Sequence, residues 1–447
     1  MLQTLKNAWK TVDIRKKLIY TLIILLLYRI GTIIPVPYVN ASSFALGGEA
    51  TILTYLDTLS GGALQQATLF ALGISPYITA SIVIQLLTVA IPALEKWAQE
   101  GEEGKKKINN LTRYTTVILS VITAVGYYFL LDNANVLDDN QFKVLKAFVI
   151  VVCFCAGASI VMWLGEKINE HGIGNGISII LFANIISALP AKLIRLGKLA
   201  FVGYTNGDAN TTTWWTHPGF SGTLAVLFAI GYVALLIGMV VFCVYVTGSE
   251  RRIPVQYAKR VVGRKMYGGQ STTLPIKLDM AGVMPVIFAS SIVSILPTIA
   301  GFIPNTKFGQ FVNNYLGHTS FPYIVLQLIL IVAFAYFYIS ISFNPVEVSN
   351  NLRNNGGAIP GIRPGKPTVD YIKKILGRIT LLGAIFLCGL SGIPMIVNAI
   401  WYAIDGVGIS DLAFSGTSLL IVVGVALETF RELEAQMTLR NYKGFLD

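Results

Sequence analysis

The chain has 447 residues, 54% hydrophobic and only 13% charged, where a soluble domain carries about 25% charged residues. That deficit runs along the whole length, so it excludes an ordinary soluble enzyme and points to a bilayer. The net charge of +11 would suit nucleic acid if it were concentrated in one domain. Instead the bases fall at intervals between apolar stretches, which is the pattern of membrane topology.

A spanning helix needs ~20 mostly apolar residues. Ten stretches meet that need: 18–37, 60–91 with an interruption, 113–131, 146–165, 176–196, 222–247, 279–301, 321–343, 375–396 and 412–430. Lys6, Lys10, Arg15, Lys16 and Lys17 precede the first. No Lys or Arg occurs from Ile30 to Glu95, and then Lys96, Lys105, Lys106, Lys107 and Arg113 follow. With a cytoplasmic N-terminus, only Lys143, Lys146, Lys192, Arg195, Lys198 and Lys307 fall in outer segments. The alternation predicts that both termini are cytoplasmic and that the number of spans is even. Residues 18–37 are too long for a signal-peptide core and lack a small-x-small cleavage site, so they are expected to persist as a first span. Arg29, near its outer end, is within reach of the interface by snorkelling.

The second stretch is broken. Gly61-Gly62 opens a short amphiphilic piece, and Gly73 and Pro76 interrupt it before a regular span begins. Pro removes a donor and biases its predecessor away from helix. Broken backbone at membrane depth is tolerated only where protein or a water-filled cavity covers it. The segment is therefore expected to enter as a half-helix, about 60–71, and continue as a full helix; an ordinary kinked span is the plainer alternative. Further on, GIGNGIS at 172–178 lacks the preceding strand and the Lys-Ser/Thr of a phosphate loop, and is expected to cap the fifth span through Asn175.

Two longer loops, 248–278 and 344–374, mix prolines, glycines and clustered bases, and fall after spans six and eight, on one side of the membrane. Lys259, Arg260, Arg264 and Lys265 cluster in the first. Such a cluster serves topology or attraction to anionic lipids, or, beside Tyr257 and Tyr267, a protein- or RNA-docking surface. Cys153, Cys155, Cys243 and Cys388 all lie inside apolar stretches and read as small apolar filler. His171, His217 and His318 lack helically spaced carboxylate or cysteine partners. No catalytic site, metal or cofactor is expected. The near absence of charge within the spans argues against a proton-coupled carrier. Ile74 and Ile78, like Ile177 and Leu181, sit four apart on one helix face; taken alone such pairs are lipid-facing or core.

Several motifs in order resemble the SecY family of protein-export channel subunits: RIGTIIPVP at 29–37, SGGALQQATLFALGISPYITASI at 60–82, GEKINEHGIGNGISII at 165–180, SERRIPVQYAKR at 249–260, MAGVMPVIFASS at 280–291, FNPVEVSNNLRNNGGAIPGIRPGKPT at 343–368 and FSGTSLLIVVGVALE at 414–428. The resemblance implies an all-α membrane protein of ten transmembrane helices in two inverted five-helix halves, closed like a clamshell: 1–196, an external hinge loop 197–221, and 222–447. It implies a plug that includes Ser60, Gly61, Gly62, Ala63 and Leu64, and a pore ring of Ile74, Ile78, Ile177, Leu181, Ile287 and Ile421. The helix after Pro76 and the third span would face spans seven and eight across a lateral gate. Arg363, with Arg264, Lys265, Lys259 and Arg260, would dock partners on the cytoplasmic side. The implied partners are SecE, SecG, the SecA motor ATPase, the ribosome, preprotein signal sequences and membrane lipids. The implied location is the bacterial plasma membrane.

Overall fold

The computed structural model describes residues 9–40, 57, 60–133, 136–137, 142–205, 222–257, 260–262, 265–267, 271–280, 282–302, 306–317, 320–405 and 416–443. Ten helices of 16 residues or more carry the described chain: α1 (Val12–Gly31), α2 (Ser75–Ala90), α4 (Glu102–Asn133), α5 (Lys143–His171), α6 (Gly176–Thr205), α7 (Gly222–Gly248), α8 (Met284–Phe302), α10 (Phe321–Ser342), α12 (Lys366–Asp405) and α13 (Gly416–Lys443). Three short helices join them: α3 (Pro92–Gln99), α9 (Lys307–Leu316) and α11 (Pro345–Asn354). Among the described residues, α4, α5, α10 with α11, and α12 are each long and apolar enough to cross a membrane unaided. The pair α2 and α3, bent by 101°, qualifies together, and α6, α7 and α8 carry shorter apolar stretches.

Local chemistry sets the boundaries. Pro76 stands in the first turn of α2, where a missing N–H costs nothing. Ile91, extended before Pro92, ends that helix as a residue preceding proline should. The first helix lies N-terminal to the expected 18–37, because Pro35 and Pro37 cannot continue it. Residues beyond Thr32 turn back, and Pro35 bridges Thr68. Asn175 does cap α6, its Oδ1 accepting from Ile177 N at 3.1 Å, while Asn169 Oδ1 accepts from Gly176 N at 2.7 Å.

Three expectations are corrected. The half-helix at about 60–71 is instead a chain of turns. Gly61, Gly62, Ala67 and Gly73 all have positive φ, which no right-handed helix accommodates, and the segment's amides turn to neighbours: Leu69 N–H donates to the Ile34 carbonyl, and the Ala67 carbonyl accepts from Val36 N. Residues 197–205, expected to belong to the hinge loop 197–221, are instead the end of α6, which runs to Thr205; residues 206–221 lie outside the described ones. Arg29 does not snorkel: its guanidinium turns inward and donates to the Gly61 carbonyl at 3.4 Å.

The two basic loops are partly strand. β1 (Glu250–Tyr257) pairs antiparallel with β4 (Ser271–Lys277), and β5 (Gly357–Ala358), from the other loop, pairs with the far end of β1. β2 (Arg260–Val262) and β3 (Lys265–Tyr267) form a small hairpin at the tip. Ile253 and Ile276 join Ile372, Ile375, Leu376 and Ile379 in one apolar cluster, which seats the three-stranded sheet on the end of α12.

The helices sort into a first set (α1, α2, α4, α5, α6) and a second (α7, α8, α10, α12, α13). They meet along two seams. On one, α2 and α4 pack against α8; on the other, α6 packs against α7 and α13. The largest apolar cluster lies between the seams and draws on both sets.

Candidate functional site

Ile74 ends the turn segment and caps α2, and Ile78 lies one turn further along. Ile177 and Leu181 occupy the first turns of α6, Ile287 the first turn of α8, and Ile421 the first turns of α13. All six fall in the single cluster between the halves: Ile74, Ile78, Leu181, Ile287 and Ile421 are buried members, and Ile177 packs against them half-buried. Spacing alone left these residues as lipid-facing or core; the fold turns them inward together. Four short stretches thus contribute six branched aliphatic side chains, none of them charged, to this cluster, here called the waist.

The turn segment lies against this waist. Ser60 is buried, donates to the Asp57 carbonyl and accepts from Leu64 N; a Cβ on Gly73, next to Ile74, would come within 3.5 Å of the Ser60 Cβ. Ala63 and Leu64 are buried, Gly61 and Gly62 half-buried. The segment is held against three helices. Arg29 of α1 reaches the Gly61 carbonyl. The Tyr127 hydroxyl of α4 donates to the Leu64 carbonyl. At Gly157 of α5 an added Cβ would lie 1.9 Å from the Leu69 carbonyl oxygen, so only glycine permits that approach. Phe70 stacks on Tyr28, with ring centroids 5.5 Å apart. No motif announces Tyr127; its partner is a backbone atom 63 residues away, and only the fold brings them together.

A cavity of about 450 Å³ is lined by Ile287 of this cluster and by Lys277, Asp279, Glu428, Arg431 and Glu432. Asp279 lies in the connector before α8, outside the spanning helices. Burial pushes its carboxyl up to about 6, against the opposing pull of a hydrogen bond from the Gly282 backbone and the charges of Arg431 and Lys277. Arg431 also donates to the Thr247 carbonyl at 3.0 Å. Sequence reading passed over this group because its members come from two distant stretches.

The bases of the loops are divided. Arg363 is exposed, on a turn fixed by Thr368 Oγ1, which donates to the Arg363 carbonyl at 2.9 Å. Arg260 and Lys265 lie on β2 and β3, at opposite ends of the hairpin's three-pair register. Lys259 and Arg264 lie outside the described residues. Because β5 pairs with β1, the loop that carries Arg363 is joined to the strand that precedes the β2–β3 hairpin in the chain.

A sequence profile of the SecY family matches residues 68–430. The chain is 41% identical over 464 aligned positions to the protein translocase subunit SecY of Streptomyces galbus, covering 100% of both chains. A solved structure described as a protein-conducting channel superposes with a TM-score of 0.63 at 20% identity, over 95% of this chain and 92% of that one. Sec61 in the canine ribosome–channel complex from the endoplasmic reticulum superposes at 0.59 and 18% identity, over 95% and 92%. At such identities the structural likeness speaks for the fold, and the sequence match speaks for the family.

Proposed function

This chain belongs to the SecY family, and from that premise we propose that it is a protein-conducting channel, through which unfolded preproteins cross the membrane between the two halves and from which apolar segments leave sideways into lipid. It is a multi-pass membrane pore without catalytic activity of its own, and the driving force comes from SecA or a translating ribosome. Its membrane is the bacterial plasma membrane, with both termini cytoplasmic, and SecE and SecG complete the assembly.

The observation that supports this reading is the meeting of Ile74, Ile78, Ile177, Leu181, Ile287 and Ile421 from both halves in one cluster. A short apolar constriction dewets and so blocks ions. It also offers a sliding polypeptide no fixed hydrogen bonds, so nothing in the ring holds the chain back. Branched side chains yield to substrates of different bulk. The turn segment Ser60–Leu64 serves as the plug on the far side of the ring, and its removal opens the path. The seam of α2 and α4 against α8 serves as the lateral gate: its parting exposes the path to lipid, where an apolar segment gains roughly 25 cal/mol for each Å² of surface it removes from water. Arg363, Arg260, Arg264, Lys259 and Lys265 receive the cytoplasmic partners, their charges suiting rRNA phosphates or an acidic motor surface. Ribosome binding through them weakens with added salt.

The test is a photoreactive side chain at Ile287 in the complex reconstituted with SecE, SecG and SecA, with a preprotein arrested in transit. Crosslinking to the arrested chain is expected. Efficient translocation with no such crosslink would move the path away from the waist.

A further inference from the structure

Helix α9 is unlike its neighbours. It opens on Thr306, whose hydroxyl accepts from Gly309 N at 3.1 Å, and its ten residues connect α8 to α10. At ~100° per residue its side chains fall into sectors. Gly309 and Val312 are buried and Leu316 half-buried, facing α8 and α10. Lys307 and Gln310 are exposed on the opposite side. Between these sectors lie Phe308, Phe311 and Tyr315, which are 43%, 58% and 58% exposed, with the Phe311 and Tyr315 rings 5.0 Å apart.

The position of this aromatic stripe identifies what covers it. Residues 303–306 tie α9 to α8, and 317–320 tie it to α10. A four-residue tether spans at most about 14 Å, so α9 cannot leave the level at which those two helices end. That end is opposite the β1–β4–β5 sheet, since β4 leads into the start of α8 and the end of α10 leads through α11 to β5. The stripe continues an exposed apolar belt already present on both helices: Ile295, Leu296 and Ile299 on α8, and Phe321, 77% exposed, at the first position of α10. On a multi-pass membrane protein that belt faces lipid. Aromatic rings concentrate where headgroups meet acyl chains, and a short helix with one apolar and one polar face lies in that plane.

We propose that α9 is an interfacial helix whose Phe308, Phe311 and Tyr315 rings are seated in phospholipid, at the headgroup–acyl boundary of the leaflet opposite the sheet. It would tether the ends of α8 and α10 to that leaflet, independently of what passes through the waist.

The experiment uses the full complex in phosphatidylcholine vesicles, with the four native cysteines replaced by alanine and a small fluorophore on Phe311→Cys or, separately, Gln310→Cys. Quenchers are a nitroxide at acyl carbon 5, a nitroxide at carbon 12, and aqueous iodide. At position 311 the shallow nitroxide should quench several-fold more than iodide and more than the deep nitroxide; at 310 iodide should dominate. Iodide dominance at 311 would overturn the proposal by placing the stripe in water. Protection from all three quenchers would overturn it too, by showing that a protein subunit covers the stripe.

Discussion

Tyr127 holds the turn segment by one hydrogen bond to the Leu64 carbonyl, while its ring packs edge-on against Phe154 at 5.0 Å. Tyr127→Phe keeps the ring and removes the bond. A buried hydrogen bond contributes about 1 kcal/mol net, and more where a carbonyl is left without its donor, so the segment should leave its seat roughly tenfold more often. With Leu64→Cys as reporter in a cysteine-free chain, a membrane-impermeant maleimide should label about tenfold faster in the Tyr127→Phe background; an unchanged rate would mean that Tyr127 does not hold the segment. Asp279 offers a second test. Its carboxyl lies at about 6 in the fold against 3.8 ordinarily, so between those values the folded protein binds more protons than the unfolded one. Stability then falls as pH rises through that window, and the cost of ionisation is complete above it. Asp279→Asn should therefore raise the melting temperature of the detergent-solubilised protein at pH 8, by the equivalent of at most about 3 kcal/mol, and leave it unchanged near pH 3. A gain of equal size at both pH values would show that burial of the charge is not what the substitution relieves.

At the scale of elements, the sheet makes the two basic loops one platform. Ile253 and Val255 are buried, Ile253 within the apolar cluster, while their neighbours face out, and β5 reaches β1 only at Gln256 and Tyr257. Arg363 stands beside that junction, exposed, on a turn that does not depend on its side chain. Arg363→Glu should consequently leave the complex assembled and abolish SecA-driven preprotein export into reconstituted vesicles; a normal export rate would remove the docking role. The helices around this platform were readable from composition, because ~20 apolar residues in a row have few other fates. The strands were not. Pro254 sits in the middle of β1 and reads as a break, yet it is accommodated because β5 stops short and leaves one side of β1 open beside it. The turns at 61–73 were misread for the converse reason. Ala67 adopts a positive φ that no local signal predicts, imposed by pairing with the strand-like residues 34–36. The six waist residues were placed by family resemblance, since a four-residue spacing cannot distinguish a face turned to lipid from one turned to another half of the chain.

For the whole molecule, the waist exists only while both halves are in place. Ile287 is the clearest case: it lies in the first turn of α8, the helix that α2 and α4 of the first half pack against, and it belongs both to the apolar cluster and to the lining of the charged cavity. In the proposed seal, dewetting depends on the whole ring being apolar, so a single amide there gives water a foothold and ions a path. Ile287→Asn should raise the ion conductance of the resting channel in planar bilayers several-fold. Ile295→Asn, two turns along the same helix at a lipid-exposed position, introduces the same group outside the ring and should leave conductance near its original value. The contrast separates a seal from general loosening of α8: equal rises at both positions would mean that the helix has merely been destabilised, and no rise at Ile287 would mean that ions are stopped elsewhere, with the turn segment as the barrier.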